Sequence, residues 1–367
     1  MKQRILYASA GYTTHDRRFL RAIVDGGWAV GFARFDRSQH SLDQRHLPPA
    51  VSALPWLGSA GDPKESLPTE SSLVADFARL VEDFDPSLVH AGPIPSVAHI
   101  ARLAASRPLV AMSWGSDLLV DALEEPHRSR ASAALRASAA VLVDCETVKA
   151  SAISLGADPH TITVFPWGVD LPNFAPRPIP GGPTLRVFSM RSHEPIYGID
   201  VAIHALALAR DSGLDVQLTI AGDGSLNAEL KSLAAELGCA AATRWIGRAA
   251  EDALPQLLAD HHVHLSTSYS DGSSISLLQA MASGRPSIVS SIPSSREWLS
   301  DSEDGWLFEV GNPSALALSF SAAAAALHRG ELASMGRRAR RTAEMRADWS
   351  ENVKLLHRAY RSATHST

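Results

Sequence analysis

Cysteine is scarce: only Cys145 and Cys239 occur in 367 residues, far apart and outside any Cys-x-x-Cys pair. That excludes a disulfide framework and gives no support to a zinc site; both thiols read as small buried hydrophobes. Long apolar runs are missing as well. No stretch approaches the roughly 20 apolar residues that cross a bilayer. The opening MKQRILYASAGY passes into polar THDRR without a cleavage-like small-residue ending, so it reads as a first buried strand. No transmembrane segment and a cytoplasmic location are expected. Positive charge is not in excess either. A formal net charge of -5 argues against general nucleic-acid binding, because phosphate contacts need a basic face.

What is present is ordinary for a globular protein: 45% hydrophobic and 20% charged residues, in a chain long enough to favour two domains. Short β-rich runs alternate with Ala/Leu-rich segments of helical period, the pattern of βαβ units. RILYAS, WAVGFARF, SLVHAG, PLVAMSW, AVLVDC and TITVFPW are the strands expected first. The turn-rich passage from Ser41 to Ser72 reads as loops around one short strand. LPNFAPRPIPGGPT is the best linker candidate, and a second series follows it: TLRVFSM, DVQLTIAG, ATRWIG, HHVHLSTS, PSIVSS and GWLFEV. The fold class expected is α/β, two Rossmann-like doubly wound domains facing across a cleft. The first spans 1–175 and the second 176–347. An amphipathic helix at about 348–367 has somewhere to pack, and the sequence does not say on which half.

YSDGSSISLLQAMASG, Tyr269 to Gly284, runs from a strand through a Gly/Ser turn into a helical pattern. Such a turn presents backbone N–H groups and the positive end of a helix dipole, which suits a phosphate. Asp271 precedes the helix and can accept from sugar hydroxyls, and Gln279 lies farther in, within reach of a diol such as a ribose. On spacing alone the favoured reading is that Asp271 and the serines cap the helix and Gln279 faces solvent, because acid-turn-helix sequences are common.

The surrounding runs alter that balance. VFSMRSHEPIYGIDVAIHALALA, IAGDG, WIGR, SGRPSIVSSIPSSREWL and LGADPHTITVFPWGVDLPNFAP, taken together, resemble the nucleotide-sugar domain and interdomain passage of retaining family 4 glycosyltransferases of the GT-B fold. The resemblance is strong from Asp144 to Phe308 and looser before. It implies that Asp271 contacts the donor sugar, and that Gly272, Ser273, Ser274 and Ile275 form the diphosphate turn, with Gly247 also on the donor side. The family's ribose-binding Glu is matched by Gln279, and its Arg and Lys six positions apart by Arg191 and Tyr197. The guanidinium is kept and the ammonium lost, so Tyr197 is expected to give the phosphate one hydrogen bond. Arg285 and Arg296 are the other bases available near this stretch.

On the first half, the resemblance places Gly11, Tyr12 and His15 on the acceptor side, with His15 as a general base of near-neutral ordinary pKa. Thr13 or Thr14 is the helix N-cap there. The family's His before a Gly is matched by Trp114, which offers one N–H and a flat face. Asp117 is retained, and a helix-cap role for it is as well supported as a catalytic one. Arg337, Arg338, Arg340 and Arg341 read as a solvated helix face.

The implied activity is retaining, metal-independent transfer from a nucleotide-diphosphate sugar to an acceptor, expected to be a small molecule or sugar conjugate. No cofactor is expected besides the donor substrate, and no nucleic acid; peripheral membrane contact stays open. Two other classes fit: a glycosyltransferase-like protein that binds without catalysis, and a nucleotide-sugar epimerase.

Overall fold

A computed structural model describes residues 3–35, 43, 45–55 and 68–365. The chain forms two compact units, one of residues 1–165 with 353–367 and one of residues 166–352.

The first unit holds a seven-stranded sheet of order β3-β2-β1-β4-β5-β6-β7. Its strands are β1 Arg4–Ser9, β2 Ala29–Arg34, β3 Val51–Ala53, β4 Leu88–Gly92, β5 Leu109–Met112, β6 Ala140–Val143 and β7 Ile162–Val164. All six pairings are parallel. The central strands are buried on both faces, which is why they read as continuous apolar runs rather than alternating ones. Strand β3 is the short strand expected in the turn-rich passage; residues 41–42, 44 and 56–67 of that passage lie outside the described residues.

The second unit repeats the scheme with six parallel strands ordered β10-β9-β8-β11-β12-β13. They are β8 Leu185–Ser189, β9 Val216–Ala221, β10 Thr243–Gly247, β11 Val263–Ser266, β12 Ser287–Ser290 and β13 Gly305–Phe308. Leu185, Val187, Leu218, Ile220, Leu265 and Ile288 of these strands form its core with Ile199, Leu206, Leu316 and Phe320 of the helices. In each sheet the strand order reverses beside the first strand, between β1 and β4 and between β8 and β11. Ligands of doubly wound sheets bind outside the carboxyl ends of the strands at such a switch point.

The division falls between Phe165 and Pro166, not at the Pro-rich passage where the composition shift placed it. Two arginines explain the difference. Arg285, 1% exposed, donates to the carbonyls of Arg177, Pro178, Leu258 and Ala259. Arg340 donates to those of Leu171, Phe174 and Ala282. The passage is thereby strapped to the second unit. Arg340 consequently does not belong to a solvated face, whereas Arg337 and Arg341 are exposed on the same helix, Leu332–Arg346.

The last helix, Trp349–His365, is divided at Asn352 and Val353, its longer part belonging to the first unit. Tyr360 is fully buried there, hydrogen-bonded to His90 Nδ1 and edge-on to Trp28 at 6.0 Å. Among the described residues no helix is long and apolar enough to cross a membrane.

Candidate functional site

In the second unit the switch point gathers the sequence-predicted donor residues. Arg191 leaves β8, Asp271 leaves β11, and they pair, Nη2 to Oδ2, at 2.7 Å. Arg191 Nη1 donates to Ser274 Oγ at 3.1 Å and Ser276 Oγ at 3.3 Å. Its flat face lies over the Tyr197 ring, 4.1 Å from the centroid. Arg191 is only 10% exposed at its side chain, and its Nε–H is buried without an acceptor among the described residues.

The helix Ile275–Ala282 begins here, with Ser274 as N-cap. No side chain caps it and no acid stands in its first turn, so its first N–H groups keep the unmet hydrogen-bonding capacity and partial positive charge of a helix start. Ser274 instead turns its hydroxyl to Arg191 and to Ser276 Oγ at 3.0 Å. Asp271 is not a cap either: it balances the guanidinium. A buried donor on a cation beside uncapped helix amides can hold an oxyanion.

The turn is braced from behind. Trp298 Nε1 donates to Ser273 Oγ at 3.0 Å, and Ser294 Oγ to the Asp271 carbonyl at 2.8 Å. Gly272, Ser273 and Ser274 are buried, Ile275 half-buried. Gln279 is half-buried farther along the helix, and its amide has no hydrogen-bond partner among the described residues. Gly247 ends β10 in the left-handed region, φ 67°, and its carbonyl accepts from the Gly222 N–H at 2.8 Å. Gly222 has no room for a side chain: a Cβ would lie 2.2 Å from the Arg191 carbonyl oxygen. Behind this layer His264 is fully buried, its pKa held down to about 3 by burial and then by the Arg191 charge. It hydrogen-bonds Ser287 through Nδ1 at 3.3 Å.

One expectation for this site changes. Arg285 gives four of its five N–H donors to backbone carbonyls, and burial lowers its pKa to about 10; its guanidinium is committed to the backbone rather than to a phosphate. Tyr197 meets Arg191 with its ring, while its hydroxyl has no partner among the described residues. Arg296 is exposed, with Nε bonded to Ser291 Oγ at 2.9 Å. Ser276, Ser294 and Trp298 were missed in the sequence. The Ser274–Ser276 spacing was visible, but nothing local signals that a distant tryptophan supports Ser273.

In the first unit the candidates also line carboxyl ends of strands. Gly11 and Tyr12 follow β1. Thr13 is the N-cap of helix Thr14–Asp25 and forms a reciprocal capping box with Asp16. Asp16 is fully buried and also accepts from Tyr7 Oη at 3.0 Å; burial raises its pKa, against the pull of these bonds. Tyr12 is 7% exposed, donates to the His46 carbonyl at 3.0 Å, and is tilted against Phe32. His15 lies in the first turn, its pKa lowered to about 4 by burial and then by Arg18. It stays neutral at pH 7, but a conjugate acid of that pKa makes it a weaker base than the ordinary imidazole expected.

Asp117 follows β5 and is 2% exposed. It accepts from Ser113 Oγ at 2.6 Å, Trp114 N–H at 2.9 Å and Ile94 N–H at 2.9 Å. Its pKa is raised, by burial before all else. The carboxylate therefore brackets the turns after β4 and β5, and neither caps the Ser116–Leu119 helix nor stands open to a substrate. Trp114 is half-buried beside it, close to Gly92, where a Cβ would lie 2.9 Å from Nε1. Among the described residues no three His, Cys, Asp or Glu side chains cluster as metal ligands.

Comparison with known proteins agrees with the second unit's geometry. Residues 174–342 match the family model described as glycosyl transferases group 1. The putative colanic acid biosynthesis glycosyltransferase WcaL of Escherichia coli is 29% identical over 198 residues, 52% of this chain and 48% of that protein. The MMP alpha-(1->4)-mannosyltransferase of Mycolicibacterium hassiacum is 32% identical over 133 residues, 36% of this chain and 32% of that one. The chain thus spans less than half the length of these curated relatives. Anabaena Alr3699/HepE, solved in complex with UDP-glucose, superposes with a TM-score of 0.77 at 20% identity, covering 98% of this chain and 100% of that one. The family match thus covers residues 174–342 of the second unit, and the chain that carries it has the GT-B fold of two Rossmann-like domains.

Proposed function

We propose that the protein is a retaining glycosyltransferase, of family 4 type, that moves a sugar from a nucleotide-diphosphate sugar to an acceptor. The observation that carries this reading is Arg191, with its buried unpartnered Nε–H, beside the uncapped start of helix Ile275–Ala282. A departing diphosphate gains negative charge in the transition state. Donors already aimed at it lower the barrier because they need no reorganisation. In this reading Arg191 and the amides of residues 275–277 take the diphosphate without a metal. Asp271 exchanges its ion pair for hydroxyls of the donor sugar, and Gln279 holds the ribose. Attack on the same face of the sugar, with the leaving phosphate receiving the acceptor proton, gives retention without an enzyme nucleophile.

UDP is the first nucleotide to try, because the structural neighbour HepE was solved with UDP-glucose. The acceptor is assigned to a small molecule or sugar conjugate, recognised by the first-unit loops that carry Gly11, Tyr12, His15 and Trp114. No further cofactor enters this scheme. A non-catalytic binder is the second reading, motivated by the neutral Gln279 and Tyr197 where charges are expected; an epimerase is separated by its product, a sugar isomer formed without acceptor.

The deciding experiment is thermal shift against UDP, GDP, dTDP and ADP, since a ligand that binds the native state raises its apparent stability, followed by donor hydrolysis with the nucleotide that binds. Slow, uncoupled release of nucleoside diphosphate supports transfer. No stabilisation by any of the four removes the donor site.

A further inference from the structure

Tyr197 stands where the resemblance expects a lysine, and the part of it that the site engages is the ring. The Arg191 guanidinium lies 4.1 Å from the ring centroid. The ring is held from its backbone. The Tyr197 carbonyl accepts from Thr267 Oγ1 at 2.8 Å, and the neighbouring Ile196 carbonyl from the Tyr269 N–H at 2.8 Å. Gly198 follows in the left-handed region, φ 57°, where a Cβ would lie 2.6 Å from the Thr267 carbonyl oxygen. The turn Pro195–Tyr197 is therefore fixed to the loop after β11, the loop that also carries Asp271. Arg191 is held on two sides: its Nη edge by Ser274, Ser276 and Asp271, its face by the ring.

Charge developing on a diphosphate can be met by a second cation or by one cation that is already oriented. A second ammonium here would repel Arg191 and require its own desolvation. An aromatic face attracts the guanidinium instead, more strongly where water is excluded. Resting on the donor-site reading above, we propose that Tyr197 is a positioning residue: its ring orients Arg191 for the diphosphate and so takes over the task of the missing lysine. Its hydroxyl has no part in this.

The test compares the full chain with Tyr197→Phe and Tyr197→Leu. Two quantities are read: kcat and KM for donor turnover, and the Nε–H resonance of Arg191 in protein labelled with ¹⁵N-arginine, assigned through Arg191→Lys. The Phe variant is expected to stay within about twofold of wild type and to keep the ring-shifted resonance. The Leu variant is expected to lose roughly ten- to thirtyfold in kcat with little change in KM, and its resonance moves to an unstacked position. A Phe variant as damaged as the Leu variant makes the hydroxyl the contact and overturns the proposal, as does a Leu variant with wild-type kcat. The resonance needs no turnover. If the wild type neither binds nucleotide nor turns over donor, the donor-site reading fails, while an unmoved resonance in the Leu variant refutes the stack by itself.

Discussion

Arg191 and Asp271 neutralise each other at 2.7 Å, each leaving one of the two central strands that flank the switch point. In the proposed reaction they act on different parts of the donor, so the pair competes with the ligand. Asp271→Asn is expected to bind UDP more tightly than wild type, because the guanidinium no longer has a charged partner to exchange. It should turn over donor more slowly, because the sugar hydroxyls lose a charged acceptor. Arg191→Ala should lower turnover by about a hundred- to a thousandfold, the range for losing one preorganised donor to a developing anion, with an unchanged circular dichroism spectrum. Near-normal turnover in both variants removes the site.

Gln279 gives a test in the opposite direction. It lies half-buried on the helix Ile275–Ala282 with no partner for its amide among the described residues. A carboxylate there would accept a charge-assisted hydrogen bond, about twice as strong as a neutral one. Gln279→Glu is expected to tighten UDP binding several-fold by calorimetry while leaving binding of UMP and UDP improved in the same proportion, since the ribose is common to both. Improvement confined to UDP would place Gln279 near the phosphates instead.

Arg285 separates a structural role from a catalytic one. Four carbonyls accept hydrogen bonds from it in a buried place. Each such bond to a charged donor is worth about 1.5–3 kcal/mol, so Arg285→Met should destabilise the second unit by at least about 3 kcal/mol in urea. At low temperature, where it is still folded, it should bind UDP like wild type. Weaker binding without loss of stability would return Arg285 to the phosphate site.

The strands were legible because parallel strands covered on both faces must be apolar along their length, as LVAM and AVLV are. The turn before Ile275 was legible because Gly and Ser cluster where the chain changes from strand to helix. Long-range uses of polar groups were not. Nothing local distinguishes Arg340, whose guanidinium reaches back to Leu171 and Phe174, from the exposed Arg337 three positions earlier. Asp117 likewise has the local look of a helix cap, and its acceptors are used by Ile94, 23 positions away, and by Ser113 and Trp114. Tyr197 was visible as a lost ammonium; that its ring lies under the remaining guanidinium required the fold.

Buried imidazoles set the response to acid. His90 in the first unit and His264 in the second are fully buried, and burial lowers the pKa of each to about 3. Unfolded, each titrates near 6.5. Between those values the unfolded chain binds protons that the native one does not, so stability is complete above about pH 6.5 and falls as the pH drops below it. Each histidine contributes a slope of about 1.4 kcal/mol per pH unit once its unfolded form is charged. Asp16 and Asp117, raised by burial, act in the reverse sense, so the imidazole effect is read below about pH 6.5 as the difference between wild type and a histidine variant. Urea midpoints should fall across that range, and His264→Asn should flatten the second unit's fall by nearly one proton, since Asn does not titrate. A His264→Asn variant whose midpoint falls as steeply as wild type's would mean that this imidazole is charged in the native protein.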